Sequence, residues 1–368
     1  MTDLLYSDVE EDLRSSVRSL LADRSPWSHV LKRAETSETY DLELWRTLAT
    51  ELGLAGLLIP ESLGGAGASA REAAVVLEEL GHAVAPVPFL GSAVVATTAL
   101  LHCVDSNGGG TELLPLLASG ERTAALAVPF SVRTAGGFSV TADGDRLSGR
   151  ITSVADALPA DLLLVPTADG LFAVDAAADG VTVAPVVSLD LTRQLADVTL
   201  HGATGRRVAA GVAASAAVDA ALLAGSALLA SEQVGVTTWC VESTVEYLKT
   251  RYQFGRLIGS YQALKHRVAD LWVDATQARA VARYAADCVA TGSDDLPVAA
   301  AVAQAFVGPV AVRSAEEAVQ LHGGVGFTWE YPIHLYLKRA KSDSLAYGSA
   351  AVNRSALGEL VDLPTPEG

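Results

Sequence analysis

The stretch YLKTRYQFGRLIGSYQALKHRVA, residues 247–269, carries five Lys or Arg residues and no carboxylate. The chain as a whole, in contrast, has a formal net charge of −17. Basic side chains around a glycine-containing break, here Arg251 and Arg256 on either side of Gly255, supply charge-assisted donors that suit phosphate oxygens. The segment therefore predicts an anion-binding site. The alternative interpretation of Arg251 is a solvated helix end with surface charge.

A second segment, QLHGGVGF at residues 320–327, is rich in glycine. Glycines let backbone N–H groups approach a ligand that any Cβ would hold away. The alternative is a helix-breaking turn between two helices, and a turn and a binding segment are compatible. The side chain of His322, beside Gly323, is expected to be structural rather than a ligand or a base.

Together the two segments, extended to TRYQFGRLIGSYQALKHRVAD and QLHGGVGFTWEYPIHLYLKRAK, resemble the signature stretches of the acyl-CoA dehydrogenase family. The resemblance covers essentially the whole chain and includes ELGLAGLLIPESLGGAG and RLSGRITSVADALPADLLLVPT. In that family both signature segments contact the FAD of a neighbouring subunit. The resemblance therefore implies cofactor-binding positions at Arg251, Gln253, Phe254, Ile258, Gln262, Gln320, Leu321, Gly323 and Gly324.

Composition and length limit what can be expected of the fold, the cellular compartment and the partners of the chain. A chain of 368 residues suits two or three packed units, and Ala-rich stretches with Leu and Val at helical spacing favour helices. Three widely separated cysteines argue against a disulfide framework, and with no visible signal peptide after Met1 we expect a cytoplasmic protein. The acidic balance argues against nucleic acid or an anionic membrane as a partner. The sequence holds no metal-binding motif, so no metal is expected.

The hydrophobic pattern changes period twice along the chain. Helical spacing predominates at residues 1–120, a period of two at 121–206, and helical spacing again at 207–368. We therefore predict an N-terminal helical domain, a middle antiparallel β domain and a C-terminal four-helix bundle, with helices near 208–250, 260–290, 297–323 and 334–358. This mainly α arrangement with a small β domain is the acyl-CoA dehydrogenase fold. The apolar stretch 208–231 is expected to be a buried helix rather than a membrane span.

The family's reaction removes a proton from the α carbon of an acyl thioester and passes the β hydride to the flavin. The resemblance places the catalytic Glu of the family at one of two positions. In this chain the first is Tyr347, whose phenol is a poor base at neutral pH, and the second is Gly225. We therefore predict that the chain has no catalytic residue of its own. Displaced bases at Asp343 or Glu232 are the alternatives.

Positions that face the flavin ring in the family also depart from its pattern. Pro129 stands where the family has a residue that binds the ring, and Pro has neither a hydroxyl nor an N–H to offer. Ser153, Ala155 and Ala351 replace further family residues around the ring. The nucleotide half of the family's pattern is thus intact in this chain, whereas the ring half is not.

With an intact nucleotide half and an altered ring half, the chain resembles the subunit without the catalytic Glu in heteromeric acyl-CoA dehydrogenases. The α2β2 enzymes that act on steroid side-chain thioesters are examples. The resemblance implies FAD as cofactor, an acyl-CoA substrate, a homologous partner chain that carries the Glu, and an electron-transfer flavoprotein as electron acceptor. Two alternatives remain: a complete homomeric dehydrogenase with a displaced base, and a flavin monooxygenase or oxidase on the same fold. Trp239 and Trp272 are expected to lie in the protein core.

Overall fold

The structure is a computed structural model that describes residues 4–104 and 109–364. The chain forms two compact units that interleave along the sequence. The helical unit comprises the residues up to Ser37, Ala74–Ala85 and the residues from Ala227 onward, and the sheet unit comprises Glu38–Ala73 and Pro86–Ser226. Helical segments at both ends of the chain and a small sheet region between them confirm the predicted fold class. The domain limits 1–120, 121–206 and 207–368 stay predictions.

The helices predicted near 208–250, 260–290 and 297–323 begin and end close to those bounds. The helices of the first part are α1 Asp8–Arg24, α2 Trp27–Ala34, α3 Leu42–Thr50, α4 Ala70–His82, α5 Thr97–Leu101 and α6 Leu114–Ala118. Those of the last part are α7 Gly211–Thr250, α8 Gln262–Thr291, α9 Leu296–His322, α10 Ile333–Asp343 and α11 Ala350–Leu360. Within the helical unit α9 packs against α8, α10 and α11, so α9 is the central helix of the C-terminal bundle.

The sheet unit contains two four-stranded sheets. Its strands are β1 Ala124–Leu126, β2 Val140–Asp143, β3 Arg146–Ala155, β4 Leu162–Thr167, β5 Gly170–Asp175, β6 Val181–Pro185, β7 Leu195–Thr204 and β8 Arg206–Ala210. The strand orders are β1-β4-β5-β8 and β2-β3-β7-β6, and both sheets contribute to one core that includes Leu163, Phe172, Leu147 and Val198. All pairs in these sheets are antiparallel except β1 with β4, which is parallel. The middle domain is therefore antiparallel as predicted, apart from this one parallel pair.

Two helices, Gly211–Thr250 and the segment Leu296–Phe327, are long and apolar enough to cross a membrane by length and composition alone. Their apolar windows are 61% and 50% buried inside the protein. Helix α7 also buries polar side chains such as Gln233 and Thr237 completely. Burial within the fold therefore accounts for the hydrophobicity of residues 208–231, although the first three of them complete β8 rather than start α7.

The predicted helix at 334–358 is in fact two helices, α10 and α11. Between them Tyr347 and Gly348 both have positive φ, 51° and 89°, which no helix can accommodate. Ser349 then caps α11, because its side chain accepts a hydrogen bond from the N–H of Val352. The helical period continues across this turn, which is why the pattern alone did not reveal the break.

Candidate functional site

A short hairpin follows α7 and carries the first signature segment. Strands β9 Tyr252–Gln253 and β10 Arg256–Leu257 pair antiparallel, with Arg256 opposite Gln253. The two turn residues, Phe254 and Gly255, have φ of 51° and 72°, the pattern of a type I′ turn. The N–H of Ile258 donates to the carbonyl of Arg251 at 2.9 Å, which closes the base of the hairpin. The hairpin is thus a fixed platform rather than a frayed helix end.

The polar side chains of the hairpin are exposed to solvent. Arg251, Gln253 and Arg256 are all exposed, and the Arg256 guanidinium stacks on the Tyr261 ring at 3.8 Å. The Phe254 side chain is 90% exposed, although a bulky residue at positive φ carries a conformational cost. An exposed aromatic ring between cationic donors can stack on a planar group while the donors bind an anion. This donor set fits a nucleotide diphosphate.

The second signature segment lies at the C-terminal end of α9. Gly323 ends the helix with φ 62° and ψ −139°, and its N–H donates to the carbonyl of Gln320. Gly323 and Gly324 are exposed, and a Cβ built on either would meet no described atom within 4 Å. Leu321, in contrast, is only 7% exposed, so any contact from this residue to a cofactor would come from its backbone. The segment is therefore both a helix end and an open backbone surface.

The structure brings the two segments side by side within the helical unit. The Tyr247 ring, one helical turn before Arg251, stacks on the His322 ring with centroids 4.3 Å apart. His322 immediately precedes Gly323, so the stack joins the end of α7 to the end of α9. Ile258 and Gln262 lie on the continuation of the hairpin into α8, where Gln262 is the first helical residue. The sequence analysis did not identify Tyr247 as part of this surface. Its position one helical turn before Arg251 could have suggested that role.

Most ring-facing positions lie in the sheet unit: Pro129 directly after β1, and Ser153 and Ala155 in β3. Ala351, in contrast, lies exposed on α11 of the helical unit. Ala127 donates its N–H to the carbonyl of Leu164 at 2.8 Å, and Val128 donates to Leu126 at 2.9 Å. Pro129 has no N–H. Phe130 donates to the carbonyl of Ser153 at 2.9 Å. All backbone donors of residues 127–130 are therefore already used or missing.

Two neighbours of this stretch are also engaged in contacts within the sheet unit. Ser153, at φ 56° in an irregular part of β3, donates its own N–H to Asp197 Oδ1 at 3.0 Å. The Phe130 ring is buried beneath the Arg193 guanidinium at 5.7 Å. A cavity of about 240 Å³ beside residues 127–130 is lined mostly by Ala, Val, Pro and Gly residues, with Ser139, Arg150 and Thr152 as its polar side chains. The exposed donors of the hairpin therefore fit the nucleotide half of FAD, whereas the backbone of residues 127–130 has no free N–H for its ring.

Neither of the two expected base positions carries an acid. Tyr347 is buried, and the Asn353 side-chain amide donates to the carbonyls of residues 347, 348 and 349 at 3.2, 2.9 and 3.2 Å. These bonds hold the positive-φ turn in place. Gly225 is buried within α7.

The two alternative acids are both buried in the helical unit. Glu232 and Arg339 form an ion pair at 2.5 Å, with each side chain only 1% exposed. Asp343 is fully buried at the end of α10.

The prediction for Trp272 was wrong: it is 63% exposed on α8, because the first half of that helix is largely exposed to solvent. Trp239 is partly buried and stacks on Tyr336 at 3.6 Å.

Comparisons with known proteins agree with this geometry. Residues 7–121 match the acyl-CoA dehydrogenase N-terminal domain and residues 215–361 match the acyl-CoA dehydrogenase C-terminal domain. Acyl-CoA dehydrogenase IpdE2 of Mycolicibacterium smegmatis is 37% identical over 342 residues, which cover 93% of this chain and 95% of that relative.

Two solved structures share both fold and sequence with this chain. The ChsE4–ChsE5 complex from Mycobacterium tuberculosis matches with 31% identity and a TM-score of 0.85, covering 99% of this chain and 100% of the other. A variant of the Tcur3481–Tcur3483 steroid ACAD matches with 30% identity and a TM-score of 0.85, covering 96% and 98%. The chain therefore belongs to the acyl-CoA dehydrogenase family of flavin-dependent oxidoreductases.

Proposed function

We propose that this chain is the subunit without the catalytic Glu in a heteromeric acyl-CoA dehydrogenase. In this proposal it supplies the nucleotide half of an FAD site whose flavin ring rests on a homologous sister chain. The sister carries the Glu that removes the α proton of the acyl-CoA thioester. This chain alone is then inactive, and its own contribution is binding and assembly.

One observation carries the proposal: the two half-sites of the same chain differ in their free donors. On the hairpin, Arg251 and Gln253 present exposed polar groups on a fixed platform. After β1, the backbone N–H groups that could bind a ring are used within the sheet unit or are absent at Pro129. A polar ligand cannot compete for a buried donor without breaking an existing hydrogen bond. The chain is thus equipped for one half of FAD.

FAD, when bound, accepts the hydride that leaves the β carbon of the substrate. The residues of this chain hold and orient the nucleotide end. Arg251 and Gln253 bind the diphosphate, and the backbone of Gly323 and Gly324 lets the cofactor approach closely. Phe254, Ile258, Gln262, Gln320 and Leu321 complete the surface that the family pattern implies.

The two related solved structures support the heteromeric interpretation. The ChsE4–ChsE5 structure is a complex of two chains, and the Tcur3481–Tcur3483 protein is described as a steroid ACAD. We therefore extend the proposal to a steroid or other lipid acyl-CoA substrate, an electron-transfer flavoprotein as acceptor, and a cytoplasmic location. The homomeric alternative with Glu232 as base is disfavoured, because that carboxylate is paired with Arg339 in the core.

The test is the flavin content of the chain purified alone and after co-expression with a family member that carries the Glu. FAD is released by denaturation and measured by absorbance against polypeptide concentration. We expect little flavin in the single chain and a yellow, active protein after co-expression. About one FAD per polypeptide in the lone protein, with dehydrogenase activity, would establish the homomeric alternative instead.

A further inference from the structure

His322 lies at the joint between the two nucleotide segments and is almost completely buried, with 3% exposure. Its Nδ1 is 2.8 Å from the carbonyl oxygen of Ala318, so Nδ1 carries the proton and donates. Its ring stacks on Tyr247 from α7, at an interplanar angle of 25°. The ring therefore occupies one defined tautomer and orientation.

The side chains in ring contact with His322 are those of Tyr247 and Tyr331, both aromatic and uncharged. The Tyr331 ring lies 5.0 Å from the His322 ring, and the Tyr331 hydroxyl is 3.1 Å from Ser243 Oγ. Trp27 of α2 covers the far side of Tyr331 at 6.3 Å. Within residues 4–104 and 109–364, no group accepts or donates a hydrogen bond at His322 Nε2. The titratable groups that face the ring are thus Tyr247 from α7 and Tyr331 from the segment before α10.

Protonation of this ring would place a positive charge among aromatic rings with no acceptor for the second N–H. The π faces of Tyr247 and Tyr331 attract a cation, but this attraction is several-fold weaker than the hydration that a buried ion loses. Burial accordingly lowers the pKa of His322 from its ordinary value of 6.5, while the bond to Ala318 opposes part of that effect. The neutral ring is the form that the packed cluster accommodates.

We propose that His322 is a positioning residue whose neutral, stacked ring locks the Gly323 and Gly324 segment against Tyr247, and that protonation of His322 releases this segment. The lock matters for the cofactor only if the proposed function holds, because that proposal assigns the segment to FAD. Tyr247 precedes Arg251 by one turn, so the same stack sets the relative position of both nucleotide segments. A change in the His322 ring is therefore transmitted to both.

The direction of the pH effect follows from linkage. Because the folded pKa of His322 lies below its unfolded value, its contribution to stability is fully present above about pH 6.5. That contribution is lost as the pH falls through the folded pKa. Each unit of lowering corresponds to roughly a tenfold change in the local opening equilibrium. The glycine segment should therefore open more often under mildly acidic conditions.

The test compares His322→Phe, which keeps a stackable ring but cannot be protonated, with His322→Ala, which removes the stack. His29→Phe serves as the control, because His29 is an exposed histidine on α2. Hydrogen-exchange protection factors of residues 320–327 are measured on each purified chain between about pH 5 and 7.5. Wild type and the His29 variant should lose protection on acidification. The Phe variant should keep its protection, and the Ala variant should be unprotected throughout.

A pH profile of His322→Phe identical to that of wild type would overturn the lock. FAD retention by the co-expressed complex at the same pH values separates this inference from the proposed function. If residues 320–327 open at low pH while the complex keeps its FAD, the lock is supported but the segment does not belong to the cofactor site. Protection of residues 320–327 that is independent of pH in wild type would refute the lock, whatever the complex binds.

Discussion

At the scale of single residues, Glu232 shows how burial and an ion-pair partner determine whether a carboxylate can act as a general base. A general base must take a proton from substrate and release it again. Glu232 is instead held at 2.5 Å from Arg339, and both side chains are withdrawn from solvent. The guanidinium favours the ionised carboxylate, and the pair satisfies charges that would be costly to bury singly. We therefore interpret Glu232 as part of the structural core.

Glu232→Gln should lower the free energy of unfolding by about 3 kcal/mol, because the Arg339 charge then lies buried beside a neutral amide. The matched control is Glu316→Gln, which breaks a surface ion pair with Lys341 at 2.9 Å and should cost less than about 1 kcal/mol. Chemical denaturation measures both values. Turnover of the FAD-loaded complex should change by no more than a few-fold. Loss of flavin reduction with FAD still bound would instead identify Glu232 as the base.

Arg251→Ala removes an exposed guanidinium from the hairpin. Loss of one charge-assisted phosphate contact should cost about 1.5–3 kcal/mol of FAD binding, or roughly tenfold to a hundredfold in affinity. Lys249→Ala is the control, since Lys249 is equally basic but pairs with Glu246 at 2.8 Å. Flavin release on dilution is measured while size-exclusion chromatography monitors assembly. Equal FAD affinity in the two variants would show that Arg251 only faces solvent.

At this scale the sequence predicted which motif residues share a surface, but not their orientation. Residue types at fixed spacing around Gly255 identified the first segment, but the hairpin that this segment forms was not predicted. The burial of Leu321 and the exposure of Trp272 depend on what packs against each helix. Hydrophobicity at a single position does not contain that information. The stack of Tyr247 on His322 was missed for the same reason.

At the scale of elements, α4 and α7 approach closely through two glycines. A Cβ on Gly235 of α7 would overlap the carbonyl oxygen of Glu78 in α4. A Cβ on Gly81 of α4 would overlap the carbonyl oxygen of Glu232. In both cases the obstacle is backbone, which cannot rotate away as a side chain can. The crossing of these helices therefore requires small residues on both sides.

Gly235→Ala should destabilise the protein by about 1–3 kcal/mol, because the added methyl group forces α4 and α7 apart. Gly358→Ala should act in the opposite direction. Gly358 lies within α11, and a Cβ there would meet no described atom within 4 Å. Its replacement should stabilise the helix by about 0.5–1 kcal/mol through backbone entropy. Thermal unfolding of both variants checks the sign; a neutral Gly235→Ala would mean that the crossing is looser than the structure indicates.

The hairpin turn offers a test that separates local stability from binding. Asn is preferred over Phe at the first central position of a type I′ turn, so Phe254→Asn should leave the unfolding temperature unchanged or raise it. The same change removes an aromatic ring that is 90% exposed in the single chain. If that ring is buried against FAD in the complex, its loss should cost about 1.5 kcal/mol, roughly tenfold in affinity. Improved stability with unchanged FAD retention would exclude Phe254 from the cofactor surface.

Element boundaries were predictable where a change of period coincided with a turn residue. The helices from 260 and from 297 were located within a few residues, because glycine and proline mark their ends. The break between α10 and α11 was not, since the apolar spacing continues through Tyr347. The parallel pairing of β1 with β4 depends on contacts distant in sequence. The local hydrophobic pattern of a strand cannot specify a partner strand that is distant in sequence.

At the scale of the whole molecule, the two units carry different parts of the surface that the family pattern assigns to the cofactor. The helical unit holds the hairpin and the glycine segment, whose donors are exposed. The sheet unit holds the stretch after β1, whose donors are used. In a family in which neighbouring subunits share each cofactor, the nucleotide half of one chain meets the ring half of another. In the proposed function, the chain therefore completes a site on a sister rather than one with a second copy of itself.

This arrangement predicts the cofactor content of the assembled enzyme. A pair of chains contains two nucleotide halves but only one ring half that offers donors, namely that of the sister. In the proposed complex the sister's nucleotide half faces the ring half of this chain, where Pro129 has no N–H and the N–H groups of its neighbours are occupied. The co-expressed complex should therefore hold about one FAD for every two polypeptides, whatever its overall symmetry. Protein concentration from amino-acid analysis and flavin absorbance after denaturation give this ratio. A ratio near one FAD per polypeptide would require the ring half of this chain to bind flavin, and would contradict the division of labour proposed for the two subunits.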